Sequence, residues 1–169
     1  KLKLSDVDWS KTKAYALGAY FGRIYFNKTS RDPKNGIMAD DEVLLLQDEI
    51  ISKLTSQMND RRETMDNKFF KPQEIYTGEY KFDGPDLYVF FDNLRFGVNN
   101  DIGNSGSFSE RTLKGSDDAG HSPLGSFLIS HPSLSPEDLG IIDIIDVLPT
   151  IFSAMGVPVP LELKGRVLI

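Results

Sequence analysis

The stretch SDDAGHSPLGSFLIS (116–130) carries His121, one of only two histidines in the chain. A small, acidic lead-in delivers it, and a proline, a glycine and an apolar run follow. Imidazole just ahead of a strand is a good metal ligand, but a metal centre needs three or four donors in suitable geometry. Asp117 and Asp118 stand close by in sequence, and the second histidine, His131, is ten residues on. There are no cysteines, so thiolate ligation, disulfides and thiol catalysis are excluded. If His121 binds a metal, most of its fellow ligands are expected outside these residues; otherwise it is a loop histidine. Asp117 and Asp118 have the chemistry of general acids or bases, and equally that of solvated loop carboxylates. His131, held before Pro132, reads as structural or solvent-facing. No Gly-x-Ser-x-Gly elbow and no P-loop glycine pattern is present.

The rest of the chain has to position that histidine. Its 169 residues suffice for one domain with a core, and 40% hydrophobic with 26% charged residues is ordinary for a globular protein. A net charge of −6, with no basic run longer than two residues, argues against a nucleic-acid groove. No apolar run reaches the roughly 18–20 residues of a membrane span; the longest candidate, 141–155, is broken by Asp143, Asp146 and Pro149. The opening KLKLSDVDWSKTK has no apolar leader and begins on Lys1, so the chain is expected to be a piece of something longer. A cytoplasmic setting is the default expectation.

Aromatic and β-branched residues in KAYALGAYFGRIYFNK (13–28) predict two short strands meeting at a glycine bend. Pro33 and Asn35-Gly36 mark a turn. From Asp40 to Met58 the period becomes helical, with Val43, Leu46, Ile50, Leu54 and Met58 on one face and Asp40, Asp41 and Glu42 in the first turn. FFKPQEIYTGEY (69–80) reads as strand then turn, and DGPDLYVFF (83–91) as a turn leading into a central strand covered on both faces. Gly, Asn, Ser and Asp dominate Asn93 to Ala119, which predicts a long loop with at most a short strand at 95–98. GSFLIS (125–130) is expected to be a buried strand. Ile144, Leu148, Ile151, Phe152 and Met155 form a helical face, with Asp143 as N-cap, a bend at Pro149 and a stop at Gly156. Alternating strands and helices predict an α/β class, and 125–155 suggests a crossover unit of a parallel or mixed sheet.

Several stretches in fixed order resemble the alkaline phosphatase superfamily, and more narrowly its type I phosphodiesterase/nucleotide pyrophosphatase branch. They are DWSKTKAYALG (8–18), RDPKNGI (31–37), LQDEII (46–51), EIYTGEY (74–80), GPDLYV (84–89), the His121 segment, then Asp143 or Asp146 with Pro149, Thr150 and Ile151, GVPVP (156–160), and Gly165, Arg166 and Leu168. The resemblance implies that residues 1–169 are the C-terminal portion of an alkaline-phosphatase-like catalytic domain, with a partial mixed or parallel sheet flanked by helices. It implies a phosphoester hydrolase in which a Thr or Ser alkoxide attacks phosphorus beside two divalent metal ions, usually zinc, and a phosphorylated small molecule or nucleotide as substrate. His121 would match the last metal-binding histidine, and the loop 93–119 would border the active site. The family's nucleophile and other metal ligands match nothing in this sequence, and Gly120 stands where many relatives have Asp. The chain by itself is therefore expected to hold an incomplete metal site and to be inactive. Two alternatives stay open: a sulfatase or phosphonate-hydrolase relative, and a stand-alone, non-catalytic binding module derived from the fold. A missing half would leave strand faces such as 87–91 exposed, which favours self-association.

Overall fold

Between Lys13 and Lys28 the chain doubles back on itself, and the expected hairpin forms. In the computed structural model, which describes residues 4–18, 20–99, 106–108 and 122–169, Ala14–Gly18 (β1) pairs antiparallel with Gly22–Phe26 (β2), Gly18 opposite Gly22. Asp40–Thr55 forms the long helix α1. Lys68–Phe70 (β3), the single helical turn Pro72–Ile75 (α2) and Leu87–Phe90 (β4) follow. The four strands make one sheet in the order β1-β2-β4-β3, antiparallel at every junction. The α/β character holds, but the expected parallel or mixed sheet does not. Parallel neighbours need a crossover that returns the chain to the same end of the sheet. The long helix α1 does link β2 to β3, yet those strands are not neighbours, and β3 reaches β4 without crossing over.

The chain divides into two units, Lys1–Leu124 and Gly125–Ile169. In the first, alternation along each strand separates two faces of the sheet. Phe26, Met38 and Val43 form a buried cluster, with Ala14, Ile24, Leu46 and Ile50 packed against it. Leu87 and Val89 are fully buried, whereas Tyr88 and Phe90 on the opposite face are half-buried. Strand β4 is thus central but covered completely on one face only. The other face is aromatic: Phe70 meets Phe90, and Tyr76 meets Tyr88 edge-on. Burial, then a hydrogen bond with Tyr76, pushes the Tyr88 hydroxyl up to about 12.

Helix α1 departs from its expected stripe in two places. It ends at Thr55, so Met58 lies beyond it and is exposed, bridged to Thr64. Gln47, which the apolar spacing ignores, is buried. At the N-terminus Glu42 reaches back to accept the Ala39 N–H at 2.9 Å, satisfying one of the orphan donors of the first turn.

In the second unit, Ile144–Asp146 is a tight 3-10 turn that continues into α3, Val147–Ala154. Pro149 falls in the first turn of α3, where an amide hydrogen would have no helical partner, so it costs no bond there and the expected bend has no cause. Gly156 closes the helix at φ +67, its N–H donating to Ser153 and that of Val157 to Phe152, a Schellman arrangement. The expected buried strand at 125–130 does not form: these residues pair with no strand among the described residues, and Leu128 is 93% exposed. The expected apolar face of α3 is also open, with Ile144 84% exposed, while Asp146, Pro149 and Thr150 are the buried residues. Phe96, in the other expected short strand, makes only an isolated bridge to Phe91. Among the described residues no helix is long and apolar enough to cross a membrane.

Arg62 adopts φ +62 in an exposed turn whose backbone N–H donates to Asn59. The left-handed conformation costs an L-residue about 1–2 kcal/mol, part of which glycine loses again through the entropy of the unfolded chain. Arg62→Gly should therefore raise the urea midpoint, corresponding to about 0.5–1 kcal/mol; an unchanged or lower midpoint would show that the turn is not strained.

Candidate functional site

Residues from four separate segments are drawn together by one carboxylate. Gly84-Pro85 turns the chain into β4, and Asp86 stands at the strand's mouth, 6% exposed. Its Oδ1 accepts from Lys28 Nζ at 2.7 Å and Arg31 Nη2 at 3.1 Å. Its Oδ2 accepts from Arg31 Nη1 at 2.6 Å and from the Phe26 backbone N–H at 2.8 Å. The Asp86 N–H donates to Ile24 O at 2.8 Å, and Gln47 Nε2 donates to Asp86 O at 2.7 Å. Both backbone groups and both carboxylate oxygens are satisfied, as a buried acid requires.

Local chemistry sets the two cations. Asp32 accepts from the backbones of Lys34 and Asn35 and from the Asn35 amide, which hold its carboxyl below the ordinary range, the Asn35 side chain foremost. This fixes the turn after Arg31. Gly36 closes it, and a Cβ there would run into the Lys28 carbonyl oxygen and come within 2.6 Å of Asp32 O. Arg31 also donates to the carbonyls of Phe82 and Gly84 at 3.2 and 2.8 Å, and its guanidinium lies 5.6 Å from the Tyr25 ring centroid. Gln47 Oε1 is buried without a hydrogen-bond partner among the described residues.

The second unit holds a smaller version. Asp146 Oδ1 accepts the Arg166 N–H at 2.9 Å, and Oδ2 lies 3.4 Å from Arg166 Nε. Thr150 Oγ1 donates to Asp146 O at 2.6 Å and accepts the Leu168 N–H at 3.2 Å. Gly165 makes this approach feasible, since a Cβ would meet the Ile145 carbonyl oxygen. The Arg166 N–H, ahead of the Asp143 N–H and the Arg166 guanidinium, holds the Asp146 carboxyl below its usual value despite its burial.

His121, Asp117 and Asp118 lie outside the described residues. His131 is exposed, its Nδ1 2.7 Å from Ser133 Oγ and 3.3 Å from the Ser133 amide nitrogen. Among the described residues no group of three or more His, Asp or Glu side chains is disposed to hold a metal ion. Asp143, named with Asp146 in the resemblance, begins the 3-10 turn through its backbone, its carbonyl accepting the Asp146 N–H at 3.0 Å, with no side-chain cap. Lys28, Gln47 and Asp86 were not singled out by composition or periodicity; an isolated acid opening an apolar strand after Gly-Pro was the available signal. No family model, curated protein or solved structure matches the chain.

Removing Asp86 leaves two largely buried cations uncompensated, which costs about 3–5 kcal/mol. Asp86→Ala should show that loss in urea unfolding followed by the single Trp9; a loss below about 1 kcal/mol would mean the pairs behave as surface bridges. For Asp146, the folded carboxyl lies below its unfolded value of about 3.9. Its stabilising contribution is therefore complete above that pH and lost as pH falls through the folded value. The Arg166 amide shift should titrate below pH about 3.9, and Asp146→Asn should abolish the titration.

Proposed function

We propose that the chain is the C-terminal portion of a metal-dependent phosphoester hydrolase of the phosphodiesterase/nucleotide pyrophosphatase type, acting on a phosphorylated small molecule or nucleotide. One observation carries the proposal. The stretches that resemble this branch, read from sequence alone as separate short similarities, meet in pairs in space. Arg31 of RDPKNGI, Gln47 of LQDEII and Asp86 of GPDLYV form one hydrogen-bonded cluster. Asp146 and Thr150 of the α3 segment hold Arg166 and Leu168 near the chain's end. Mutual contact is what segments of one shared scaffold would show.

The described residues do not furnish donors for a pair of metal ions, so no reaction step is derived through them. Their part in this reading is structural. They hold the sheet and the end of α3, and His121 is the proposed metal ligand. The nucleophile and remaining ligands belong, on this reading, to another part of the protein. A sulfatase or phosphonate-hydrolase preference is decided by those residues.

The test begins with the native polypeptide, recovered from its own cells with an antibody to the 116–130 peptide. Its intact mass should be more than twice that of these 169 residues, and it should hydrolyse bis(4-nitrophenyl) phosphate faster than 4-nitrophenyl sulfate. His121→Ala in that protein should lower the rate by about 100-fold or more, as expected for loss of a metal ligand worth several kcal/mol. An active His121→Ala protein would overturn the assignment of His121. A native mass equal to this chain, with no hydrolysis, would overturn the hydrolase reading and favour a stand-alone binding module.

A further inference from the structure

A hollow of about 790 Å³ opens beside the Asp86 cluster, entirely within the first unit. This is the ordinary size of a small-molecule site, and such sites combine apolar walls with a few fixed polar groups. Val43, Leu44, Pro72 and Phe82 supply the apolar wall, while Lys28, Arg31 and Asp86 line its most buried part.

The charges there do not cancel. Over the whole lining two cations stand among three carboxylates, but at its buried end Lys28 and Arg31 face Asp86 alone, a local excess of one positive charge. The Asp86 oxygens are filled, and both terminal nitrogens of Arg31 are committed to Asp86 and to backbone carbonyls. Lys28 differs. An ammonium has three donors, and among the described residues only one is used, towards Asp86. Its side chain is 13% exposed and lines the hollow, so its remaining donors face the space that a ligand would enter. An anionic acceptor entering the hollow would meet them. Two acids, Asp40 and Asp83, also line the hollow, but both are exposed and screened by water, and Asp40 already accepts from Ser30 at 2.8 Å.

We infer that this hollow binds a small amphipathic carboxylate, its anionic head on Lys28 and its apolar body against Val43, Leu44 and Phe82. The inference is independent of the hydrolase reading, because it uses neither His121 nor a metal.

The test compares three probes of similar shape and different charge on the ¹⁵N-labelled chain: phenylacetate, 2-phenylethanol and 2-phenylethylamine. Phenylacetate should shift the amides of Ser30, Leu44, Gln47 and Gln73 and bind at least about tenfold more tightly than either of the others. Leu44 is half-exposed and makes no hydrogen bond to the charged cluster, so Leu44→Trp should fill the hollow and abolish these shifts without disturbing the fold. Lys28→Met should weaken phenylacetate at least about tenfold; if that variant does not fold, the Leu44→Trp result decides. The inference is overturned if phenylacetate leaves these amides unmoved, if the amine binds as well as the carboxylate, or if Leu44→Trp binds like the parent chain.

Discussion

The carboxylate of Asp86 is the constraint on which the first unit depends. A buried charge is tolerated only when its partners and hydrogen bonds are complete, and here completion draws on four separate segments. The Phe26 N–H comes from the end of β2, Lys28 and Arg31 from the following turn, Gln47 from α1, and Asp86 itself from the start of β4. Displacing any one of them leaves a buried group unsatisfied. Apolar burial of Phe26, Leu87 and Val89 drives collapse, but it tolerates slippage between similar side chains. The carboxylate does not. A one-residue shift of β4 against β2 would reverse the faces of Leu87 and Val89 and carry Asp86 away from its donors.

The second unit uses the same logic with a weaker core. Its buried residues are polar or small, Asp146, Thr150 and Pro149, and they fasten the chain's end to the turn before α3. Its large apolar side chains are mostly outside: Leu128 and Ile144 stand open to solvent, and Leu161 is fully exposed. The apolar side chains of α3 thus form a face that its own unit leaves largely open. Internal hydrogen bonding can fix the local shape of such a segment while leaving its apolar surface without a counterpart of its own.

What the sequence discloses follows the range of the forces involved. The β1–β2 hairpin, the turn at Pro33 to Gly36, helix α1 and the Gly156 stop are all local, set within a few residues by propensity, periodicity or glycine's access to positive φ. The expected strand at 125–130 fails for the complementary reason. GSFLIS has strand composition, but a strand exists only with a hydrogen-bonded neighbour, and composition does not supply one. The parallel sheet was inferred from alternation of strands and helices, which does not fix which strands adjoin. Arg31 and Asp86 are 55 residues apart, so their pairing leaves no trace in any local window. Gln47 is hidden from helical spacing, which ranks apolar residues and is blind to a polar side chain with a carbonyl to reach.

These contacts also separate scaffold from chemistry. The quoted stretches are rich in residues that look catalytic by type: an arginine and an aspartate in RDPKNGI, an aspartate in GPDLYV, a threonine beside Pro149, an arginine near the end. Most of them are spoken for. Arg31 is spent on Asp86 and backbone carbonyls, Asp32 on its own turn, and Thr150 on two backbone groups, whereas Arg166 is tied to Asp146 mainly through its backbone N–H. A side chain so engaged cannot also turn to a substrate without undoing the fold that presents it. His121, which the resemblance singles out as a metal ligand, lies outside the described residues. Substitution of Asp86 or Asp146 itself therefore acts first through folding, by stranding the donors that each carboxylate satisfies.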